Sequence, residues 1–196
     1  MTWNVPNLLT VARMALLPLV IFLLWPGIVS PSNAIWACVA YIIAGLLDVV
    51  DGAVARHLNQ VTAIGKFLDP LVDKLFYLVT LIALLQLPGP WIPPWVVMVV
   101  LSRELAITGL RGIAGSEGFV IAADEGGKLK TFFATAGVVG LMLHHPYRIE
   151  LAGLIIHLDT ARAGLWLTYI SIVFSLLSGG RYVYKFLHAV RPAPLR

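Results

Sequence analysis

Residues 48–73 read DVVDGAVARHLNQVTAIGKFLDPLVD and place four aspartates in a chain that is otherwise strongly apolar. Asp48 and Asp51 are three residues apart, and Asp69 and Asp73 are four apart. On helices, both spacings put the paired side chains on one face. Carboxylates are costly in or near a lipid bilayer, and those that occur there usually mark a functional site. The stretch therefore predicts two helices whose acidic faces meet at a site.

The composition indicates a membrane protein. Of the 196 residues, 59% are hydrophobic and 12% are charged, and the mean hydropathy is +0.88. A soluble domain is about half apolar and about a quarter charged. Core helices of a soluble protein are the alternative, and the composition disfavours them. The single Cys38 excludes an internal disulfide, and the N-terminus lacks a signal peptide's features, so we expect it to be retained.

Six largely apolar segments, each of roughly the 20 residues that a bilayer requires, are separated by Pro- and Gly-rich stretches. We predict an all-α, polytopic membrane protein with one transmembrane catalytic domain, residues 1–196. Between the last two segments we expect a loop that contains Arg148, Glu150 and Asp159. The predicted spans are residues 8–26, 33–56, 64–87, 94–114, 127–144 and 160–184.

The distribution of Lys and Arg predicts the orientation in the membrane. With the aspartate-rich side placed inside, every Lys and Arg except Arg148 and Arg162 lies on or towards that side. Cytoplasmic loops carry the excess of positive charge. Both termini and the polar site are therefore expected on the cytoplasmic side. The net charge of +4 is assigned to topology and lipid headgroups rather than to nucleic acid.

The four aspartates require compensating positive charge, because clustered carboxylates near a low-dielectric slab do not all stay ionised alone. Oxygen ligands without Cys or His suit Mg²⁺, Mn²⁺ or Ca²⁺ rather than Zn²⁺. Two ions on two pairs would stabilise both the attacking and the leaving oxygen of a phosphoryl transfer. Gly52 leaves room for a ligand, and Arg56 offers a fork for a phosphate oxygen. Interfacial acids paired with Arg56, Lys66 and Lys74 are the alternative.

The same stretch resembles the signature of the CDP-alcohol phosphotransferase family. That signature is Asp, two residues, Asp-Gly, two residues, Ala-Arg, eight residues, Gly, three residues, Asp, three residues and Asp, and every spacing is kept here. Three further segments resemble bacterial phosphatidylglycerophosphate synthases of this family: NVPNLLTVARMALLPLV, SRELAITGLRGIA and GKLKT. The resemblance covers most of the chain and is weakest from about Pro146 onwards.

The resemblance implies a chemistry for the site. It implies phosphatidyl transfer from CDP-diacylglycerol to an alcohol, with release of CMP. It also implies two Mg²⁺ or Mn²⁺ ions as cofactors. It also implies six transmembrane helices, a homodimer and a bacterial inner membrane. By this resemblance, Asp48, Asp51, Asp69 and Asp73 bind the metal ions, and Asp73 is also the general base. The residues implied for CDP-diacylglycerol binding are Asn7, Thr10, Gly52, Arg56 and Thr62.

Basic residues of the fourth and fifth spans indicate the acceptor. Arg103 and Arg111 are eight residues apart, about two helical turns and so roughly one face. Lys128 begins a helix, where the dipole also favours an anion. Together with Lys130, these residues suit an acceptor that carries a phosphate, and we expect glycerol 3-phosphate, which gives phosphatidylglycerol phosphate. Cations that merely reach lipid headgroups are the alternative.

Three other functions stay open at the level of sequence. The first is the same chemistry with another acceptor, namely inositol phosphate, serine or phosphatidylglycerol. The second is a cation-coupled transporter, in which the intramembrane acids would form the ion path. The placement of the acids towards one side and the absence of duplicated halves disfavour a transporter. A membrane scaffold without catalytic activity is the third alternative.

Overall fold

The computed structural model describes the backbone of residues 5–57, 63–87, 92–117, 126–145, 147–151 and 154–190. Residues 51–57 and 63–70 are described by their backbone alone. Within these ranges the chain forms six helices and one pair of strands. The elements are α1 (Val5–Leu23), α2 (Pro31–His57), α3 (Ala63–Leu84), α4 (Pro94–Ser116), α5 (Gly126–Met142), β1 (Tyr147–Leu151), β2 (Leu154–Leu158) and α6 (Thr160–Val190).

Each helix overlaps one of the six predicted segments, so the prediction of a helical protein is confirmed. Proline sets two of the helix starts, because its fixed φ and missing N–H suit the first turn. The helix α2 begins at Pro31, and α4 begins at Pro94 after an extended Pro93. The last helix is longer than predicted and reaches Val190 rather than residue 184.

The prediction of a loop between α5 and α6 was wrong for most of that segment. The strands β1 and β2 form an antiparallel hairpin in which Tyr147 lies opposite Leu158. The charges of Arg148 and Glu150 suggested a loop. In the sequence YRIEL, however, these charges alternate with apolar residues, which is the period of two that is typical of a strand.

Glycines allow α5 and α6 to pack with their backbones in close approach. A Cβ atom added at Gly140 would lie 2.7 Å from Cα of Gly164. One added at Gly164 would lie 2.7 Å from the carbonyl oxygen of Gly137. The hydroxyl of Thr168 at this contact donates to the carbonyl of Gly164 at 2.9 Å, so its polar group is satisfied. Small residues at such contacts are typical of helix packing in membranes.

The outer surface of the helices is largely apolar, whereas several polar side chains face inwards. By length and composition, the described part of the chain holds two segments that are long and apolar enough to cross a bilayer, Pro31–Asp48 and Thr160–Ala189. Leu8–Leu23 and Leu129–Met142 are shorter apolar helices. Large apolar side chains that are more than half exposed include Leu8, Phe22, Trp36, Leu46, Met98, Leu105, Phe132, Trp166 and Leu176.

Candidate active site

Three helices meet at the guanidinium of Arg13. This side chain projects from the apolar α1 and is only 2% exposed. Its Nη1 donates to the carboxylate of Asp48 on α2, and its Nη2 lies 3.2 Å from Oδ1 of Asp73 on α3. The structure thus brings together one aspartate from each predicted pair, with a shared cation between them.

The other two predicted aspartates lie on the same two helices. Asp51 follows Asp48 on α2, and Asp69 precedes Asp73 on α3. The helical backbone puts each at a position on the same face as its partner. Their side chains are outside the described part of the structure. Among the side chains that are described, no three His, Cys, Asp or Glu residues form a group that could hold a metal ion.

A cavity of about 90 Å³ lies where α1 to α5 converge. Asp73 opens towards it, with a side chain that is 61% exposed, while Arg13 forms part of its buried wall. A carboxylate that is both accessible and held by a cation is suited to contact a bound substrate. The lining residues are Arg13, Tyr41, Gly45, Asp73, Lys74, Phe76, Tyr77, Glu104, Lys130, Thr131, Ala134 and Thr135.

Glu104 is a buried carboxylate between two of the predicted acceptor-binding cations. Its Oε1 accepts from Nζ of Lys130 on α5 and from Nη1 of Arg103, the latter at 3.1 Å. Thr108, one turn later on α4, accepts a hydrogen bond from Lys74 and donates to the backbone carbonyl of Glu104 at 2.6 Å. Charges from α3, α4 and α5 are therefore joined in one network beside Asp73.

The four predicted acceptor-binding residues are not all at the cavity. Lys130 lines it, whereas Arg103 is directed towards α6, where Nε donates to the carbonyl of Ser175 at 3.1 Å and Nη2 to Ser178 Oγ at 3.0 Å. Arg111 also contacts α6, because its guanidinium lies 5.5 Å from the ring centre of Tyr182. The side chain of Lys128 is outside the described part.

The residues predicted for CDP-diacylglycerol binding are described to different extents. Thr10 is 2% exposed and lies three residues before Arg13, so both face the interior from one side of α1. Asn7, Gly52 and Arg56 lie on helical backbone in α1 and α2. Nothing is described of the side chains of Asn7 and Arg56, and Thr62 lies outside the described residues.

Sequence reasoning missed Arg13 and Glu104 as residues of the site. Each left a signal, because a charged residue within an apolar helix must find a partner inside the protein. Arg13 stands in the run LLTVARMALL, and Glu104 in VVLSRELAI. From the sequence alone, Arg13 indicates only the orientation in the membrane, and Glu104 has no predicted role. The identity of their partners depends on how the helices pack.

Comparisons with known proteins identify similar chains. A family model described as CDP-alcohol phosphatidyltransferase matches residues 3–177. A CDP-diacylglycerol–glycerol-3-phosphate 3-phosphatidyltransferase of Bacillus subtilis is 36% identical over 200 residues, covering 96% of this chain and 98% of the relative. One of the same description from Wigglesworthia glossinidia brevipalpis is 30% identical, covering 94% and 95%. A CMP-forming cardiolipin synthase of Streptomyces coelicolor is 35% identical over 120 residues, covering 59% and 54%.

Proposed function

Since the chain belongs to the CDP-alcohol phosphatidyltransferase family, we propose that it transfers the phosphatidyl group from CDP-diacylglycerol to glycerol 3-phosphate. The products are phosphatidylglycerol phosphate and CMP. The observation that carries this proposal is the convergence of Asp48 and Asp73 on Arg13, in the wall of a cavity that Asp73 and Lys130 also line. Two relatives that bear this activity in their names align over nearly their whole length.

The substrate requires a membrane location. CDP-diacylglycerol keeps its acyl chains in a leaflet, so its diphosphate enters the site from the lipid. We assign all six helices as transmembrane segments of a bacterial inner membrane, with the cavity towards the cytoplasm. The apolar outer surface supports this arrangement, as do the positions of Asp48 at the end of the apolar part of α2 and of Lys130 near the start of α5. A homodimer is part of the same proposal and rests on the family resemblance.

Divalent metal ions fit the donor groups that converge here. Asp48 and Asp73 already share one cationic partner, so their carboxylates are directed towards a common point. With Asp51 and Asp69, the set is made of oxygen ligands alone, which suits Mg²⁺ or Mn²⁺. Bound there, two such ions would neutralise diphosphate charge and stabilise the departing CMP.

The protein's own groups have separate roles in the proposed reaction. Asp73 accepts the proton of the acceptor hydroxyl, and the resulting oxygen attacks the phosphorus that carries diacylglycerol. A new P–O bond forms there, and the bond to the bridging oxygen breaks, so that CMP leaves with that oxygen. Around the CDP group we place Gly52 and Arg56 at the diphosphate and Asn7, Thr10 and Thr62 at the nucleotide.

The acceptor is chosen by positive charge beside Asp73. Lys130 lines the same cavity, so an acceptor phosphate bound to its ammonium group would hold the hydroxyl near the base. Arg103, Arg111 and Lys128 complete the proposed phosphate site. Arg103 and Arg111 both contact α6. To bind the acceptor phosphate, each guanidinium must either contact the phosphate and α6 together or move away from α6.

Phosphatidylglycerol is the second candidate acceptor, because one relative is named as a CMP-forming cardiolipin synthase. It would use the same donor and the same aspartates. The transporter and scaffold alternatives lose their support, since the matched relatives are named as transferases or synthases.

An assay of CMP release distinguishes these possibilities. The purified protein in neutral detergent is given CDP-diacylglycerol, Mg²⁺ or Mn²⁺, and one alcohol at a time from a panel. The panel holds glycerol 3-phosphate, inositol phosphate, serine and phosphatidylglycerol. We expect release with glycerol 3-phosphate alone. Release only with phosphatidylglycerol would support the second candidate, and no release with any alcohol would exclude the transferase.

A further inference from the structure

Arg13 is unusual because a permanently charged side chain is almost completely buried in an apolar helix. It is 2% exposed, and its neighbours in α1 include Val11, Met14 and Leu16. Burial of an ion is costly unless opposite charge lies beside it. The two carboxylates of Asp48 and Asp73 supply that charge, so the three side chains stabilise one another.

The contacts of Arg13 are unevenly distributed over its guanidinium. Both terminal nitrogens contact the aspartates, whereas the buried Nε has no hydrogen-bond partner within the described part of the chain. A buried donor without a partner is unfavourable. The guanidinium of Arg13 thus donates its hydrogen bonds to Asp48 and Asp73, the same carboxylates that the proposed function assigns to metal ions.

The balance of charge at this point is incomplete. Two carboxylates carry two negative charges and one guanidinium carries a single positive charge, and the nearby ammonium group of Lys130 is already paired with Glu104. A divalent cation offers twice that charge in a smaller volume, and carboxylates are its preferred ligands. An arginine and a divalent ion in contact with the same oxygens would also repel each other.

We propose that Arg13 is an internal counter-cation for Asp48 and Asp73, and that a divalent cation displaces it from them. The inference rests on the metal assignment of the proposed function. In the metal-free protein, Arg13 prevents repulsion between the two aspartates and so keeps α2 and α3 together. When a cation binds, the guanidinium leaves one or both carboxylates and remains in the wall of the cavity.

Competition of this kind is measurable without substrate. We would titrate Mn²⁺ into the full-length protein in neutral detergent, follow free Mn²⁺ by electron paramagnetic resonance, and record the thermal unfolding midpoint with and without Mn²⁺. Arg13→Met removes the charge and keeps an unbranched side chain. Arg13→Lys keeps the charge and loses the fork. Arg162→Met is the control, because it removes a cation from the exposed pair with Asp159.

The proposal predicts that Arg13→Met binds Mn²⁺ at least about tenfold more tightly than the wild type. Its unfolding midpoint should be lower without Mn²⁺ and should rise further on addition of Mn²⁺. Arg13→Lys should bind with intermediate affinity, and Arg162→Met should match the wild type. If Arg13→Met does not fold even with Mn²⁺, the proposal is tested by whether Arg13→Lys binds Mn²⁺ more tightly than the wild type.

Equal or weaker Mn²⁺ binding by the folded Arg13 variants would overturn the proposal. So would the absence of Mn²⁺ binding by all of the proteins. The proposed transferase function is tested separately by CMP release from the wild type. If Arg13 competes with Mn²⁺ but the wild type releases no CMP, the transferase function is excluded and the role of Arg13 stands. If the wild type releases CMP but the Arg13 variants bind Mn²⁺ no more tightly, the role of Arg13 is excluded and the function stands.

Discussion

Glu104 on α4 and Lys130 on α5 form a buried ion pair at the cavity that Asp73 also lines. Their side chains are 8% and 16% exposed, so neither charge has ready access to bulk water. Removal of one partner from such a pair leaves the other charge uncompensated. Loss of either partner is therefore expected to destabilise the fold, and the pair determines where the ammonium group of Lys130 lies.

We expect Glu104→Gln to lower the free energy of unfolding by about 3 kcal/mol, because Lys130 and Arg103 lose their shared carboxylate. Thermal unfolding in detergent measures the change. The double variant with Lys130→Met should lose less than the sum of the two single changes. Arg162→Gln, which breaks an exposed pair, is the control and should cost less than about 1 kcal/mol. Additive losses in the double variant would argue against the pair.

Lys130→Met should weaken binding of the acceptor far more than binding of the donor. Loss of a charged hydrogen bond to the acceptor phosphate is expected to raise the KM for glycerol 3-phosphate about tenfold or more. The KM for CDP-diacylglycerol should stay within about twofold, since we place Lys130 at the acceptor phosphate and not at the donor. Steady-state CMP release measures both. The matched control is Lys185→Met, an exposed cation on α6, and equal effects on both KM values would contradict the role of Lys130.

Arg103→Lys tests how α4 is held against α6. Lysine keeps the charge but lacks the planar fork that reaches both Ser175 O and Ser178 Oγ. We expect a loss of about 1–3 kcal/mol in the free energy of unfolding, measured by thermal unfolding. Ser178→Ala removes one of these contacts and should cost less. An unchanged unfolding midpoint in Arg103→Lys would show that these contacts do not stabilise the fold.

The sequence predicted the helices because apolar segments are separated by Pro and Gly, and because Pro31 and Pro94 suit helix starts. It also predicted that acids of α2 and α3 lie near each other. That prediction was possible because the helical spacing of the aspartates and the family signature are both contained within one short stretch of sequence. The structure places Asp48 and Asp73 at one guanidinium. The roles of the four aspartates remain predictions.

The contacts that sequence reasoning missed are those between distant segments. Arg13 meets Asp73 across 60 positions of the chain, and Lys130 meets Glu104 across 26. No local period encodes such partners, because they follow from which helices pack together. The same reason explains why Arg103 and Arg111, which share a helix face as expected, turn out to contact α6 rather than line the cavity.

Gly164→Ala should destabilise the contact between α5 and α6. The new Cβ would lie 2.5 Å from the backbone nitrogen of Leu141, and backbone on a packed helix moves only if the helices separate. Overpacking of this kind costs about 1–3 kcal/mol. Thermal unfolding measures the loss. Gly180→Ala on the same helix is the control, because no described residue of another element lies within 4 Å of its added Cβ. Equal midpoints for the two variants would contradict the close packing.

Asp73→Asn should abolish turnover while it leaves CDP-diacylglycerol binding largely intact. Asparagine keeps the size of the side chain and can still contact the cavity, but it does not accept the proton of the acceptor hydroxyl. Loss of a general base costs about 100- to 10,000-fold in rate. Single-turnover CMP release measures the rate, and equilibrium binding of CDP-diacylglycerol measures the affinity. Asp159→Asn, an exposed carboxylate paired with Arg162, is the control. Near-normal turnover by Asp73→Asn would remove Asp73 as the base, and a parallel loss of donor binding would assign it to binding instead.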